Sequence, residues 1–268
     1  MPSLRTIVKK IRRFGYEAGP VERRAESDDV FFVRDAPHSI VRPQATYSPW
    51  LADPEFLETY RAISEGPEPH TLVDRFRCYE LWQLAGRPIA GDVLEIGVWR
   101  GGTGCLMAKK VKSLAPDRTV FLCDTFTGVV GVTAKDPSYS DGEHADTSQQ
   151  IVTALATSMD LKNVRILPGM FPRDTGAIIR ERQFCLVHID VDVYQSAKDC
   201  FEWALPRLTV GGAIVFDDYG FERCGGVTQM VNELDHRSRS IAVIHNLNGH
   251  AVVIKFRSID ACLVSSCP

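Results

Sequence analysis

The sequence predicts an α/β protein: a doubly wound, mostly parallel sheet with an antiparallel strand at its C-terminal edge and a helical N-terminal flank. Three observations predict it. From residue 92 onward, short apolar runs alternate with stretches of helical period. The runs are apolar throughout, as strands buried on both faces of a parallel sheet are. The chain then closes on two runs joined by a short turn, "IAVIHN", "LNG" and "AVVIKF", which suits an antiparallel pair at the sheet edge.

Taken in order, the first twenty residues set Lys9, Lys10, Arg12 and Arg13 among Leu4, Ile7, Val8, Ile11 and Phe14. That spacing predicts a short amphipathic helix with a basic face, packed on its own protein or on a partner subunit rather than lying on a membrane. Residues 20–50 carry prolines and read as irregular. "DPEFLETYRAI" (53–63) and "TLVDRFRCYELWQLA" (71–85) repeat apolar residues at three and four, so both read as helices. Asp53 before Pro54 is an N-cap with proline at the first helical position. The strands that follow are "DVLEIGV", "TVFLCDTF", "NVRILPGMF", "FCLVHIDVDV" and "GAIVFDDY", with helices near 102–114, 147–158, 196–207 and 226–236 between and after them. The expected division is a flank over 1–70, shaping an acceptor pocket or a subunit contact, and one domain over 71–268.

Composition narrows the class. The 268 residues are 44% apolar and 24% charged with a net charge of −3, a globular balance that argues against a nucleic-acid binder. No apolar run approaches the ~18 residues of a membrane span, and the first residues lack a secretory pattern. Eight cysteines sit mostly inside apolar runs and form no CxxC pair, which points to a reducing, cytoplasmic setting.

The chemistry gathers at strand ends, where ligands bind in such sheets. "LEIGVWRGGTG" (94–104) is a strand, a glycine turn and a helix start. Gly97, Gly101 and Gly102 permit a tight turn and close approach of a ligand, and the helix presents free N–H groups to an anion. Such a loop alone would also suit a nicotinamide cofactor or a plain turn. Two acids sharpen the choice. Asp124, at the end of the second strand, stands where a carboxylate accepts ribose hydroxyls. Glu95 would repel a dinucleotide pyrophosphate yet suits an ammonium or sulfonium, and Trp99 replaces the middle glycine of GxGxxG. The expectation is S-adenosyl-L-methionine.

Two further strands end in carboxylates: Asp190 and Asp192 in "HIDVDVYQSA", Asp217 and Asp218 in "AIVFDDYG". Unpaired buried acids are costly, so a cation is implied. Oxygen-only donors suit a hard dication such as Mg²⁺. Asp190 and Asp192 lie two apart and share a face, whereas Asp217 and Asp218 do so only if one sits in the turn. The competing readings are a helix N-cap for Asp218 and salt bridges to Arg223 or Lys198.

"LEIGVWRGGTG", "CDTFTG", "GMF", "HIDVDVYQSA" and "GGAIVFDDYG", in this order over residues 71–236, resemble the macrocin/mycinamicin (TylF/MycF-like) sugar O-methyltransferase family. The resemblance implies a class I methyltransferase, Rossmann-like fold and a Mg²⁺-requiring, S-adenosylmethionine-dependent enzyme that methylates a sugar hydroxyl on a natural product or glycan. It also implies a homodimer or homotetramer. By that resemblance Asp190, Asp217 and Asp218 are the metal ligands. Cofactor contacts fall on Glu95, Gly97, Val98, Trp99, Arg100, Gly101, Gly102 and Thr103. Others fall on Asp124, Thr125 and Phe126, on Gly169, Met170 and Phe171, and on Asp190. Asp192 is the expected base, with His188 second, since a histidine before a strand end is more often a satisfied core residue. Residues 131–150 read as a mobile lid bringing Tyr139, Glu143 and His144 to the acceptor, with His70 or Arg75 on its other side. A catechol-like phenol is the alternative acceptor, and a nicotinamide-dependent oxidoreductase the alternative enzyme.

Overall fold

The computed structural model describes residues 47–234, 240–245 and 248–258 with side chains, and the backbone alone of 30–32 and 39–41. The basic N-terminal helix expected before residue 20 lies outside them. The chain divides into two compact units, 1–49 and 50–268. In the first unit, strands β1 (Val30–Phe32) and β2 (Ser39–Val41) pair antiparallel with Val30 opposite Val41, inside the stretch expected to be irregular. Their residues include valine, isoleucine and phenylalanine, all strand formers.

The second unit begins with helices α1 (Pro54–Ser64) and α2 (Arg75–Ala85). Asp53 caps α1 by accepting from Phe56 N at 3.0 Å and also accepts from Trp82 Nε1 at 2.9 Å, joining the two helices through one carboxylate. The helix expected from residue 71 starts at 75, because Asp74 accepts from the N–H groups of Phe76 and Arg77 and so becomes the N-cap.

Seven strands form the sheet: β3 (Asp92–Ile96), β4 (Val120–Asp124), β5 (Val164–Pro168), β6 (Phe184–Ile189), β7 (Leu208–Phe216), β8 (Ile241–His245) and β9 (Ala251–Lys255). Their order is β5-β4-β3-β6-β7-β9-β8, with β3 to β7 parallel and β9 antiparallel to both its neighbours. The expected antiparallel pair closes the sheet edge. β9, nearly all buried, lies inside, and the more exposed β8 forms the edge. Four more helices connect the strands: α3 (Gly102–Leu114), α4 (Gln149–Ser158), α5 (Tyr194–Arg207) and α6 (Gly225–Asn232).

Side chains of α1 to α4 pack on one sheet face through Phe56, Trp82, Met107 and Val152, against Val93, Leu122 and Leu186. Those of α5 and α6 pack on the other through Phe201 and Met230, against Leu94, Val187 and Phe216. Strand order reverses between β3 and β6, and the crevice opens there. The turn after β3 sits directly on the end of β6. Gly97 has φ +82°, and a Cβ on it would lie 1.7 Å from the carbonyl oxygen of Asp190.

Candidate active site

A cavity of about 290 Å³ opens at the C-terminal ends of β3, β4, β6 and β7. Gly97, Val98, Trp99 and Thr103 line it from the first turn and helix, and Asp124 and Thr125 from the second strand. Gly169, Met170 and Phe171 line it after β5, and Asp190, Asp192, Asp217 and Asp218 after β6 and β7. Most of the expected site residues therefore share one wall-to-wall space. Arg100, Gly101, Gly102 and Phe126 stand behind that lining. Arg100 pairs with Glu68 at 2.6 Å, and Gly102 N donates to the His70 carbonyl at 2.9 Å. Gly101 has φ +87° and is the N-cap of α3.

Two of the acids hold their surroundings together. Glu95 is fully buried beneath the cavity, and its Oε1 faces His188 Nδ1 at 2.9 Å. Asp124 organises the turn: Oδ2 accepts from the N–H groups of Val98 (2.6 Å) and Trp99 (2.8 Å), and Oδ1 accepts from Phe126 N–H at 2.6 Å.

The four strand-end acids converge. One oxygen each of Asp190, Asp217 and Asp218 lie within 4.8 Å of one another. The left-handed backbone of Asp218 (φ 63°) and Asp192 (φ 64°) turns these side chains inward just past their strands. The cation beside them is one the sequence reading missed. Arg77, buried on α2, donates from Nη1 to Asp217 Oδ2 at 2.6 Å and lies 3.6 Å from Asp218 Oδ1. Its Nε donates to Asp74. Arg223 instead binds Glu143 and the Ser138 carbonyl, and Lys198 faces Glu202, so neither takes the role of salt-bridge partner to these acids.

Two histidines complete the network. His250, fully buried at the start of β9, has Nε2 2.7 Å from Asp217 Oδ1 and Nδ1 2.6 Å from Glu80 Oε2. His188 Nε2 lies 3.9 Å from the same Asp217 oxygen. Burial alone would lower His188, yet Asp217 and Glu95 on either side bring it up to about 10. His188 is fully buried and is not part of the cavity lining.

Electrostatically the cluster is split. Burial, then the charge of Asp217, pushes Asp190 and Asp218 well above the ordinary carboxylate range. Burial works against Asp217 too, but Arg77, His188 and His250 hold it well below that range. Asp192 is raised by burial, against the hydrogen bond it accepts from Tyr139 OH at 2.7 Å.

Residues 131–150 form no helix or strand before α4, as expected, but they are tied down at several points. Buried Asp136 accepts from Thr133 N and Oγ1 and from Tyr194 N. Trp99 Nε1 donates to Asp146 at 2.8 Å, and Thr147 Oγ1 donates to the Trp99 carbonyl. Tyr139 and His144 line the cavity, as does His70, while Glu143 holds Arg223 and the Ser140 N–H. Arg75 stays outside, over the Tyr60 ring. The only signal for Arg77 is its place on the buried face of α2 with Cys78, Leu81, Trp82 and Ala85, which marks a buried cation but does not name its partner. His250 gave no such signal.

The family model for macrocin-O-methyltransferase (TylF) matches residues 67–255. Mycinamicin III 3''-O-methyltransferase of Micromonospora griseorubida is 33% identical over 195 residues, covering 65% of this chain and 75% of that protein. The 8-demethyl-8-(2,3-dimethoxy-alpha-L-rhamnosyl)-tetracenomycin-C 4'-O-methyltransferase of Streptomyces olivaceus is 30% identical over 193 residues, covering 62% and 72%. In fold, the chain resembles the O-methyltransferase NovP with a TM-score of 0.63 at 24% identity, over 74% of this chain and 88% of that one. A fold with its crevice at the strand-order reversal, and a match over most of the sheet-bearing unit, have one conclusion: the chain belongs to the macrocin-O-methyltransferase family of S-adenosylmethionine-dependent enzymes.

Proposed function

We propose that this O-methyltransferase transfers the methyl group of S-adenosylmethionine to a sugar hydroxyl of a natural product or glycan, with Mg²⁺ at the acid cluster and Asp192 as base. The observation that carries the reading is the convergence of Asp190, Asp217 and Asp218 on one wall of the cavity that the glycine turn also lines. The donor set fits the ion. All three are carboxylates, the hard oxygen donors that Mg²⁺ takes, and one oxygen of each lies within 4.8 Å of the others. Bound there, a dication would lower the pKa of a sugar hydroxyl and fix its orientation.

The chain's own groups supply the rest. Asp192 is half-buried in the cavity wall, and desolvation raises its proton affinity, which suits a carboxylate that must take a proton from a weakly acidic hydroxyl. Tyr139 donates to its Oδ1 and so fixes the carboxylate plane. The turn at Val98 and Trp99, stiffened by Asp124, gives the cofactor a preformed wall. Relatives named for mycinamicin, tetracenomycin and novobiocin substrates support a glycosylated acceptor. A homodimer or homotetramer in the cytoplasm belongs to the same reading, and light scattering measures the assembly.

The test is methyl transfer from labelled S-adenosylmethionine to a panel of deoxysugar glycosides and catechols, with Mg²⁺ or with excess EDTA. Turnover on a glycoside with Mg²⁺, and loss of it in EDTA, is expected; undiminished turnover in EDTA rejects the metal. Asp192→Asn is expected to lower kcat by about 100-fold or more, while S-adenosylhomocysteine binds as tightly as before. Turnover on catechols alone moves the acceptor to phenols.

A further inference from the structure

Asp217 has both carboxylate oxygens engaged: His250 holds Oδ1 at 2.7 Å and Arg77 holds Oδ2 at 2.6 Å. The Arg77 contact is the one that faces the other acids, since the same Nη1 is 3.6 Å from Asp218 Oδ1. A dication gathering Asp190, Asp217 and Asp218 must share or take those oxygens. A guanidinium and a dication carry charge of the same sign, and in a buried site their repulsion is weakly screened.

Arg77 is built to turn aside without being released. Its Nε donates to Asp74 Oδ2 at 3.0 Å, at the N-terminus of its own helix. Its guanidinium carbon also lies 4.8 Å from the centre of the Phe221 ring, a contact that requires no carboxylate. Gly249 leaves room for its stem, because a Cβ there would come within 3.2 Å of Arg77 Cδ. A pivot of the whole guanidinium plane on its flexible stem, with Nε still against Asp74 and the plane still over Phe221, lengthens the contacts with Asp217 and Asp218.

We propose that Arg77 is the resident counter-cation of the acid cluster, a positioning residue that keeps Asp217 and Asp218 assembled without a divalent ion and yields its contacts when one enters. The proposal rests on the metal reading above and goes beyond it. The cation affinity of the site is set by the exchange as well as by the carboxylates, and Arg77 fixes the concentration at which the enzyme loads.

The test uses full-length protein and Mn²⁺ as the probe, with free Mn²⁺ followed by electron paramagnetic resonance. Removing a charge that competes for the same carboxylates is expected to tighten Mn²⁺ binding by about tenfold or more in Arg77→Met, with Arg77→Lys close to wild type. The thermal midpoint of Arg77→Met is expected to fall in EDTA and recover with Mn²⁺, whereas wild type barely responds. Equal or weaker Mn²⁺ binding by Arg77→Met overturns the proposal and leaves the metal reading intact. Failure of Mn²⁺ to bind either protein overturns both. Should Arg77→Met not fold, wild-type protein with ¹⁵N-labelled arginine decides. The Arg77 Nε–Hε signal, assigned with Arg77→Lys, is expected to shift as Mg²⁺ saturates the site, and an unmoved signal overturns the exchange.

Discussion

At Gly97 the whole active site depends on a missing atom. The residue has φ +82° and its Cβ position is 1.7 Å from the Asp190 carbonyl oxygen, a backbone atom that cannot rotate away. Gly97→Ala is therefore expected to cost roughly 3 kcal/mol or more in urea denaturation, at the severe end of single substitutions. Gly220→Ala is the control: its φ is +88° but nothing lies within 4 Å, so only the left-handed strain of about 1–2 kcal/mol remains. Equal losses at the two positions would refute the contact argument. The glycine was legible in the sequence because a strand–glycine–helix pattern has few physical meanings, and the acids were legible because carboxylates at the ends of apolar strands need a reason. Their immediate partner was not. Arg77 is 140 residues from Asp217 in the chain, and only tertiary folding puts α2 over the end of β7. A separation of 93 residues likewise concealed the neighbour of Glu95. Its place before the first glycine suggested a cofactor contact, but the pleat turns it to His188 on the adjacent strand.

Between elements, one side chain secures the segment that closes the cavity. Asp136 accepts from Thr133 N at 3.0 Å, Thr133 Oγ1 at 2.7 Å and Tyr194 N at 2.8 Å, so it folds its own turn and holds the first N–H of α5. Gly226, on α6, leaves the space it fills: a Cβ there would sit 1.8 Å from Asp136 Oδ1. Asp136 thus ties the 131–150 segment to both helices on that sheet face. Asp136→Ala strands a buried helix N–H and is expected to cost about 2–3 kcal/mol, with faster proteolytic cleavage inside 131–150 than in wild type. Destabilisation without increased cleavage there would mean the carboxylate serves α5 alone. Composition alone showed this segment as polar and loop-like, and it is. The ties were hidden because an aspartate that caps a helix 58 residues downstream looks like any loop aspartate. Periodicity, by contrast, located α1 to within a residue or so, since Asp53-Pro54 marks its start directly.

The sheet makes residues 50–258 one mechanical unit, and the cysteines report on it. Alternating apolar runs revealed the parallel order in the sequence; insertion of β9 between β7 and β8 was not legible, since a turn between two strands says they pair but not which joins the sheet. Three of the six described cysteines, Cys78, Cys105 and Cys185, lie in the layer beneath α1 to α4. Cys123, Cys200 and Cys224 lie in the opposite layer. All six are free and buried. Burial raises their thiols, to about 12 for Cys123, so neither exposure nor thiolate favours reaction in the folded state. Each layer shares the same strands, so opening one removes the support of the other and the two should unfold together. Iodoacetamide labelling read by peptide mass spectrometry is therefore expected to leave these six unmodified in native buffer. In moderate urea it should modify both trios at a common rate. Cys224 is the informative exception to watch, because its sulfur lies 3.3 Å from Tyr139 OH at the cavity wall. If it alone labels early, and S-adenosylhomocysteine suppresses that labelling, the opening is local to the active site. If instead one whole trio precedes the other, the two layers are separate folding units and the single-sheet argument fails.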